Sequence, residues 1–399
     1  MSDKEEVMSD EIHMTTALRL AARGEGHVEP NPMVGCVIVR PGQPNGEGFH
    51  ASYGGLHAER NAMASVLPPD KQHVASMAQI DPNDTTALHG ATWYVTLEPC
   101  CHTGKTPPCA DAIIACRPQR VVIAATDPNP RVAGGGIQRL RDAGIHVDVG
   151  VCADAAIQLT APFRKRQETG LPWVIAKWAM TLDGRIATDS GHSQWISGAA
   201  SRRDVHQTRA RVDAIAVGGQ TVFADDCLLN ARPDGNDPVP RIAKRAVFAT
   251  TRLPQPESRL IRSLAQGESE SDAVGKVLLF AGGDADSEAM DTLRELHVEI
   301  HQSSDSPARF PIKDALRILA QQDVTNLVVE GGGNLLGQFA DQRLIDELHI
   351  YVAGKILGGQ QNRSPIHGNG VHTMPDADHY TLRDATPFEN DVRLRYFRT

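Results

Sequence analysis

Along this chain, short apolar runs alternate with amphipathic stretches in two successive series. No other feature limits the fold as strongly, because strands spaced by helices assemble into an α/β layer around a mostly parallel sheet. In the first series, residues 34–39, 91–97, 121–125 and 145–149 read as strands. Residues 15–23, 57–67, the segment opened by Pro108-Cys109 and residues 136–143 read as helices. Pro108 suits a first helical turn, where its missing N–H costs nothing. The Pro- and Asp-rich stretch 68–90 reads as an irregular excursion.

The pattern resets around residues 162–172, through Arg164, Lys165, Arg166 and Gly170. A second series follows, with strands expected at 173–179, 214–217, 246–249, 277–281, 326–330 and 347–352. A helix is expected at 201–211, and loops at 237–240 and 267–272. The length of 399 residues suits two or three domains. The expected organisation is a loose tail at 1–13, an α/β domain at 14–160, a linker at 161–172 and a second α/β domain at 173–399. The two halves show no sequence repeat.

Apolar residues make up 41% and charged residues 22%, the balance of a globular chain rather than a disordered one. No apolar run reaches even about ten residues, whereas a membrane span needs about 20. The first residues are acidic and polar, without the apolar core of a secretory signal, so a cytoplasmic protein with no membrane partner is expected. A net charge of −9 argues against a nucleic-acid partner, which calls for a basic surface. It leaves room for a small anionic substrate held by a few local arginines.

Of seven cysteines, four fall between Cys100 and Cys116. An odd, clustered set in a chain this long indicates metal or catalysis rather than a disulfide framework. His57-Ala58-Glu59 opens a helix, Pro99-Cys100 follows a strand, and Cys109 opens the next helix. One imidazole and two thiolates give Zn²⁺ three protein ligands and leave a fourth position for water, the mark of a catalytic site. Zinc lowers the pKa of such a water to about 7. Both cysteines stand near helix N-termini, where the dipole favours thiolate. Glu59 is placed to move protons between the water and a base. A lone His-Ala-Glu or Pro-Cys would mean little; the order of all three does. Cys101 competes with Cys100 as a ligand. Cys100 directly follows the proline, as in the His-x-Glu … Pro-Cys pattern of zinc nucleobase deaminases. Cys36, Cys101 and Cys116 read as small buried residues or bystanders.

Five stretches together resemble the deaminase half of the bifunctional riboflavin-biosynthesis deaminase/reductases. They are Glu29-Pro30-Asn31-Pro32-Met33-Val34-Gly35, His57-Ala58-Glu59, Thr96-Leu97-Glu98-Pro99-Cys100, Gly104-Lys105-Thr106-Pro107-Pro108-Cys109 and Asp127-Pro128-Asn129-Pro130. Most zinc deaminases separate their two cysteines by two residues; here the separation is the long loop of this family. The resemblance implies a cytidine-deaminase-like domain with one Zn²⁺ on His57, Cys100 and Cys109. It implies Glu59 as the acid/base, substrate contact by Asn31, and His102 and Lys105 on the binding loop. From the residues alone, Asn31 is equally a turn former between prolines, and His102 and Lys105 are solvated loop residues. Two departures stand out. Cys101 replaces the family's usual Ser, and the 68–90 excursion is longer than the family norm.

In the second half, Val328-Val329-Glu330-Gly331-Gly332-Gly333-Asn334 reads as a strand ending in a glycine turn that opens a helix, a geometry suited to phosphate. It is not the Rossmann fingerprint. Lys177 to Ala187, Ser193 to Ile196, Arg202-Arg203, Gly218 to Thr221, Ala224 to Asp226, Leu229, Arg232 and Glu330 to Gly333 resemble, in order, the reductase half of the same family. That half is similar to dihydrofolate reductase. The fold class implied is therefore α/β, with two three-layer domains. The resemblance places Ala179, Trp195, Thr221, Asp225, Thr250, Gly332, Gly333, Asn334, Leu335 and Leu336 on NADPH. It places Lys177, Ser193, Arg209, Leu229, Arg232 and Glu330 on the ribosyl phosphate substrate. Ala249-Thr250 stands where the family usually has Asp and a small polar residue.

The reaction implied is hydrolytic deamination of a diaminopyrimidinone ribosylamino phosphate, followed by NADPH reduction of the ribosyl group to ribityl. A homo-oligomer is implied as well. Two rivals differ in observable ways. A different nucleobase deaminase with a non-catalytic second domain would bind no NADPH. A zinc-stabilised nucleotide-binding module without turnover would close its zinc with a fourth protein ligand such as Cys101.

Overall fold

A computed structural model describes residues 3–104, 106–129, 132–232, 239, 241–250, 252–265, 275–360 and 364–399. The loops expected at 237–240 and 267–272 lie outside these residues, apart from Val239, as do Lys105 and Pro130. The chain divides into two compact units, Met1–Gly170 and Leu171–Thr399.

The first unit runs α1 (Asp3–Ala22), β1 (Gly35–Val39), β2 (Gly46–Phe49), α2 (Ala58–Val66), β3 (Thr92–Leu97), α3 (Cys109–Ala115), β4 (Arg120–Ala125), α4 (Gly135–Asp142), β5 (His146–Val149), α5 (Ala153–Leu159) and α6 (Ala161–Thr169). Its sheet order is β2-β1-β3-β4-β5. Only β3, β4 and β5 pair in parallel; β1 is antiparallel to both its neighbours. The expected mostly parallel sheet thus holds for one half. The β1–β2 hairpin accounts for the other half, and β2 is too short and glycine-rich to announce itself.

Alternation along the strands makes two apolar layers. Cys36, Ile38, Trp93, Val95, Val121 and Ile123 face α2 and α4 residues such as Ala62, Met63 and Leu140. Val37, Tyr94, Val122 and Ala124 face Met14 and Ala17 of α1 and Ala156 of α5. Gly35 lets α1 lie against β1, since a Cβ there would sit 2.0 Å from the Ala17 carbonyl oxygen.

Three expectations need correction. Of the tail expected at 1–13, residues 3–13 are helical instead, because α1 begins at Asp3. Asp10, Met14, Ala17 and Ala21 are buried at helical spacing. Asp10 accepts from Tyr94 Oη at 2.8 Å and pairs with Arg120 at 2.8 Å, which ties the polar end of the helix to the sheet. Residues 68–90 are not irregular. They form two short 3₁₀ segments, Pro69–Ser76 and Pro82–Leu88, that bury Val74, Ala75 and Leu88. Arg60 of α2, fully buried, donates to the carbonyls of Ala75, Met77 and Pro108 and so ties this excursion to the segment that enters α3. Finally, most of 161–172 is helix α6 rather than linker; α6 ends at Gly170, whose φ of +70° stops it.

The second unit runs β6 (Trp173–Thr181), α7 (Ala199–Arg209), β7 (Ala214–Gly218), α8 (Gly219–Asp225), β8 (Lys244–Ala249), α9 (Arg259–Ala265), β9 (Val277–Ala281), α10 (Ser287–Glu295), β10 (Glu299–Gln302), α11 (Ile312–Gln321), β11 (Asn326–Val329), α12 (Gly333–Asp341), β12 (Glu347–Ala353), β13 (Tyr380–Phe388) and β14 (Asp391–Arg398). The nine-stranded order is β10-β9-β8-β7-β11-β6-β12-β14-β13. All pairings from β10 to β12 are parallel, and β14 and β13 close the edge antiparallel. One face packs on α11 and α12 through Leu316, Leu319, Leu336 and Phe339. The other packs on α8, α9 and α10 through Val222, Leu260, Ile261 and Met290. No helix among the described residues is long and apolar enough to cross a membrane.

Candidate active sites

In the first unit, the chain leaves β3 at Leu97 and reaches Cys100 within three residues. Cys109 is the first residue of α3, and His57 stands immediately before α2 in extended conformation. Those two helix starts face the same strand end. As a result, His57 Nδ1, Cys100 Sγ and Cys109 Sγ lie within 4.8 Å of one another. His57 Nδ1 is 3.4 Å from Cys109 Sγ and 3.7 Å from Cys100 Sγ. The Cys109 thiol, the His57 ring and the Cys109 backbone N–H stabilise Cys100 as thiolate and pull its pKa down to about 4. One imidazole and two sulfurs converging on one point suit zinc, and no fourth side chain among the described residues joins them. Cys101 stays out of the set.

The open side of this triad faces a cavity of about 320 Å³. Glu59, 4% exposed, lines it; burial, then the neighbouring Cys100, raises its carboxyl pKa. Asn31 and His102 line it too, so two of the three expected substrate residues share the cavity with His57 and Cys100. Lys105 lies outside the described residues.

Sequence reasoning missed several residues here. His50 lies edge-on to His57 with ring centroids 5.2 Å apart. Its Nδ1 is 3.0 Å from the Leu56 carbonyl, so Nδ1 carries the proton and Nε2 accepts from the Asn31 amide at 3.1 Å. That bond leaves the Asn31 Oδ1 as the acceptor for a ligand. Glu98, close to Cys100 in sequence, lines the cavity with its carboxylate turned to the backbone. Its carboxylate accepts from the N–H groups of Asp127, Gly134, Gly136 and Ile137, which fixes the Asp127–Asn129 rim and caps α4. Phe163 and Arg166 of α6 form part of the wall. Glu98 sits inside the Thr96–Cys100 stretch but carries no role there by residue type alone, and His50, Phe163 and Arg166 sit in no local pattern.

Thr106 Oγ1 lies 3.2 Å from His57 Nε2. With Nδ1 turned to the sulfurs, Nε2–H donates to this hydroxyl and sets the ring's tautomer. Such supporting bonds typically account for a ten- to hundredfold effect on metal affinity. Thr106→Val should therefore weaken zinc binding about tenfold or more, read by competition with a chelator. Unchanged affinity would show that the ring is oriented by other contacts.

In the second unit, a cavity of about 710 Å³ opens at the carboxyl ends of β6, β7 and β11. It is lined by Lys177, Ala179, Ser193, Trp195, Arg209, Thr221, Asp225, Leu229, Arg232, Glu330, Gly332, Gly333 and Leu336, all expected from sequence. Gly331, at φ +112°, allows the turn into α12. A Cβ on Gly332 would stand 3.3 Å from Thr221 Oγ1, so the glycines keep a backbone-lined cradle open at the helix N-terminus. These features fit an extended phosphorylated cofactor such as NADPH.

Three expected cofactor residues are not among those lining this cavity. Thr250 is exposed beyond the end of β8. Leu335 is buried in the apolar layer beneath the sheet. Asn334 turns its Oδ1 toward His367 Nδ1 at 2.9 Å.

The charge centre of this cavity is Glu330. Arg209 grips it bidentately, Nε and Nη2 each 2.7 Å from one oxygen, while Lys177 Nζ lies 3.9 Å away. Burial alone would raise the Glu330 pKa, but Arg209 and Lys177 bring it down to about 2. Burial lowers the Lys177 pKa from its usual value. Arg209 was expected to hold substrate phosphate; instead its fork is closed on Glu330.

Comparison with known proteins gives a consistent picture. The cytidine and deoxycytidylate deaminase zinc-binding region matches residues 7–125, and the RibD C-terminal domain matches residues 172–394. The riboflavin biosynthesis protein RibD of Actinobacillus pleuropneumoniae is 36% identical over 99% of this chain and 97% of its own length. That of Escherichia coli K12 is 37% identical over 97% of this chain and 99% of its own. Among solved structures, Acinetobacter baumannii RibD superposes with a TM-score of 0.79 at 35% identity, covering 99% of this chain and all of that one. A Thermotoga maritima diaminohydroxyphosphoribosylaminopyrimidine deaminase/5-amino-6-(5-phosphoribosylamino)uracil reductase gives 0.78 at 29% identity, with the same coverage. With full-length relatives at this identity and both domain models in order, the chain belongs to the RibD family of riboflavin biosynthesis proteins.

Proposed function

We propose that His57, Cys100, Cys109 and Glu59 carry out the deamination and that Lys177 and Glu330 organise the reduction. The chain is a bifunctional riboflavin-biosynthesis enzyme, a zinc deaminase joined to an NADPH-dependent reductase. The residue roles are supported by geometry. His57, Cys100 and Cys109 would hold the zinc, which when bound supplies a Lewis acid that activates water near neutral pH. Glu59 takes a proton from the attacking water and returns it to the departing amine. Its raised pKa suits both halves of that task. Asn31, oriented by His50, presents its carbonyl to an N–H of the pyrimidine. The substrate proposed is the diaminopyrimidinone ribosylamino phosphate.

In the second cavity, NADPH would lie along Ala179, Thr221, Asp225 and the Gly331–Gly333 turn, and when bound it supplies hydride to the ribosyl carbon. Lys177, a buried ammonium with a lowered pKa, donates the accompanying proton. Glu330, fixed by Arg209, holds Lys177 and the sugar in place. We also propose a cytoplasmic homo-oligomer, a reading that rests on the family resemblance. All seven cysteines are free, which suits a reducing compartment.

The observation that carries this reading is the buried Glu59 carboxyl beside a three-ligand metal site that is open on one side. Following ammonia release and NADPH oxidation in one reaction tests it, since both must occur on one substrate.

A further inference from the structure

We propose that Arg60 is a positioning residue of the deaminase metal centre: its buried guanidinium holds the start of α3, and with it Cys109 and Cys100, and supplies the positive charge that balances the loaded site. This role rests on the reading that His57, Cys100 and Cys109 hold zinc. Arg60 lies in the first turn of α2, next in sequence to Glu59 and close behind His57. It is fully buried, and no carboxylate pairs with it among the described residues. Its fork donates instead to three backbone carbonyls: Nη1 to Ala75 at 2.7 Å and to Met77 at 3.0 Å, and Nη2 to Pro108 at 3.1 Å. Nε has no partner among the described residues. A buried cation without an anion is costly, since carbonyl dipoles replace only part of its hydration.

Geometry and charge both tie this cation to the metal site. Pro108 immediately precedes Cys109, the first residue of α3. The Cys109 N–H donates to Cys100 Sγ at 3.3 Å, and the Ala110 N–H donates to the Cys100 carbonyl at 3.1 Å. Holding the Pro108 carbonyl therefore steadies both sulfurs, while His57 stands at the N-terminus of the helix that carries Arg60. One side chain thus links the two helix starts that present the ligands. Its charge also acts on both His57 and Cys109. Two thiolates neutralise Zn²⁺, so an ionised Glu59 leaves the loaded centre with a net negative charge, which Arg60 offsets. The 68–90 excursion then has a role at the active site. The Ala75 and Met77 carbonyls, at the end of its first 3₁₀ segment, solvate the guanidinium in place of water and aim it at Pro108.

The test uses full-length protein and compares wild type with two variants. Arg60→Met removes the charge and the donors at similar length, and Arg60→Lys keeps the charge without the planar fork. Competition with a chelator should show zinc binding weakened by about tenfold to a hundredfold in Arg60→Met, the range for contacts that support metal ligands. The Lys variant should fall between Met and wild type. Visible absorption of the cobalt-substituted protein, which reports ligand geometry, should change in the Met variant. At saturating zinc, kcat for ammonia release should fall with little change in substrate KM, because Arg60 is not among the residues lining the cavity. Thermal unfolding of the zinc-free protein reads the fold separately. A Met variant that unfolds earlier yet keeps wild-type zinc affinity and cobalt absorption overturns the proposal. If the Met variant does not fold, the Lys variant decides: weakened zinc binding supports the proposal, and wild-type affinity overturns it. Cys109→Ala serves as the control for the metal site. If that variant keeps wild-type zinc affinity, the metal-site reading falls and this proposal with it. If it loses zinc while Arg60→Met does not, the proposal falls alone.

Discussion

Glu59→Gln should reduce ammonia release by about a hundredfold to ten-thousandfold, the range for losing a positioned acid/base group. The side chain is not among the three converging ligand atoms, so bound zinc should stay at one per chain. The substitution keeps the shape of a residue that is 4% exposed, so the first unit should remain folded. Reduction of supplied deaminated substrate should continue at the wild-type rate, because Lys177, Glu330 and the glycine turn all lie in the second unit. Three measurements read this result: ammonia release, zinc content, and NADPH oxidation with deaminated substrate. If ammonia release persists in a zinc-loaded variant, Glu59 is not the acid/base.

Glu330→Ala should have the second large effect, and it should appear in both activity and stability. The carboxylate is 8% exposed on its side chain, and its Arg209 partner 13%. Removing one partner of such a buried pair costs about 3–5 kcal/mol, since the remaining charge has no counter-ion. Here two cations, Arg209 and Lys177, would be left. NADPH oxidation should be lost, while ammonia release from the first unit continues. Glu330→Gln, which keeps the shape, separates the roles: it should unfold less readily than the Ala variant and still fail in reduction. The same carboxylate sets an acid limit. Its folded pKa of about 2 lies below an ordinary unfolded value of about 4.3. Its contribution to stability is therefore complete above about pH 4.3 and is lost as pH falls toward 2. Thermal unfolding of the wild type should show a loss across that window that is reduced in Glu330→Gln. Equal acid sensitivity in both would assign the loss to other carboxylates.

The metal site was legible because its chemistry is written in short local motifs. His57, Glu59, Cys100 and Cys109 each open a helix or follow a strand, and the fold only had to bring those ends together. Residues that act through tertiary contacts were not legible. His50 lies on no motif, yet it sets the Asn31 amide. Arg209 is placed on the ribosyl phosphate substrate by the resemblance, and only the structure shows its fork closed on Glu330. Two strands escaped notice for a related reason. β13 and β14 carry no apolar run, because Arg393, Arg395 and Arg398 make ion pairs with Asp204, Glu347 and Asp378. The first helix was cut short at its polar end because Asp10 looks like a tail residue until Arg120, far away in sequence, meets it. Thr250 is carried over by motif position, and the structure places it exposed past β8, outside the lining of the cavity.

The most direct test of a bifunctional enzyme follows ammonia release and NADPH oxidation simultaneously on the diaminopyrimidinone ribosylamino phosphate, with zinc-loaded full-length protein. Ammonia should appear first, and NADPH oxidation should follow after a lag until the two reach equal amounts. Ammonia release with no NADPH consumed, or NADPH consumption with no ammonia, would contradict the assignment of both reactions to this one chain.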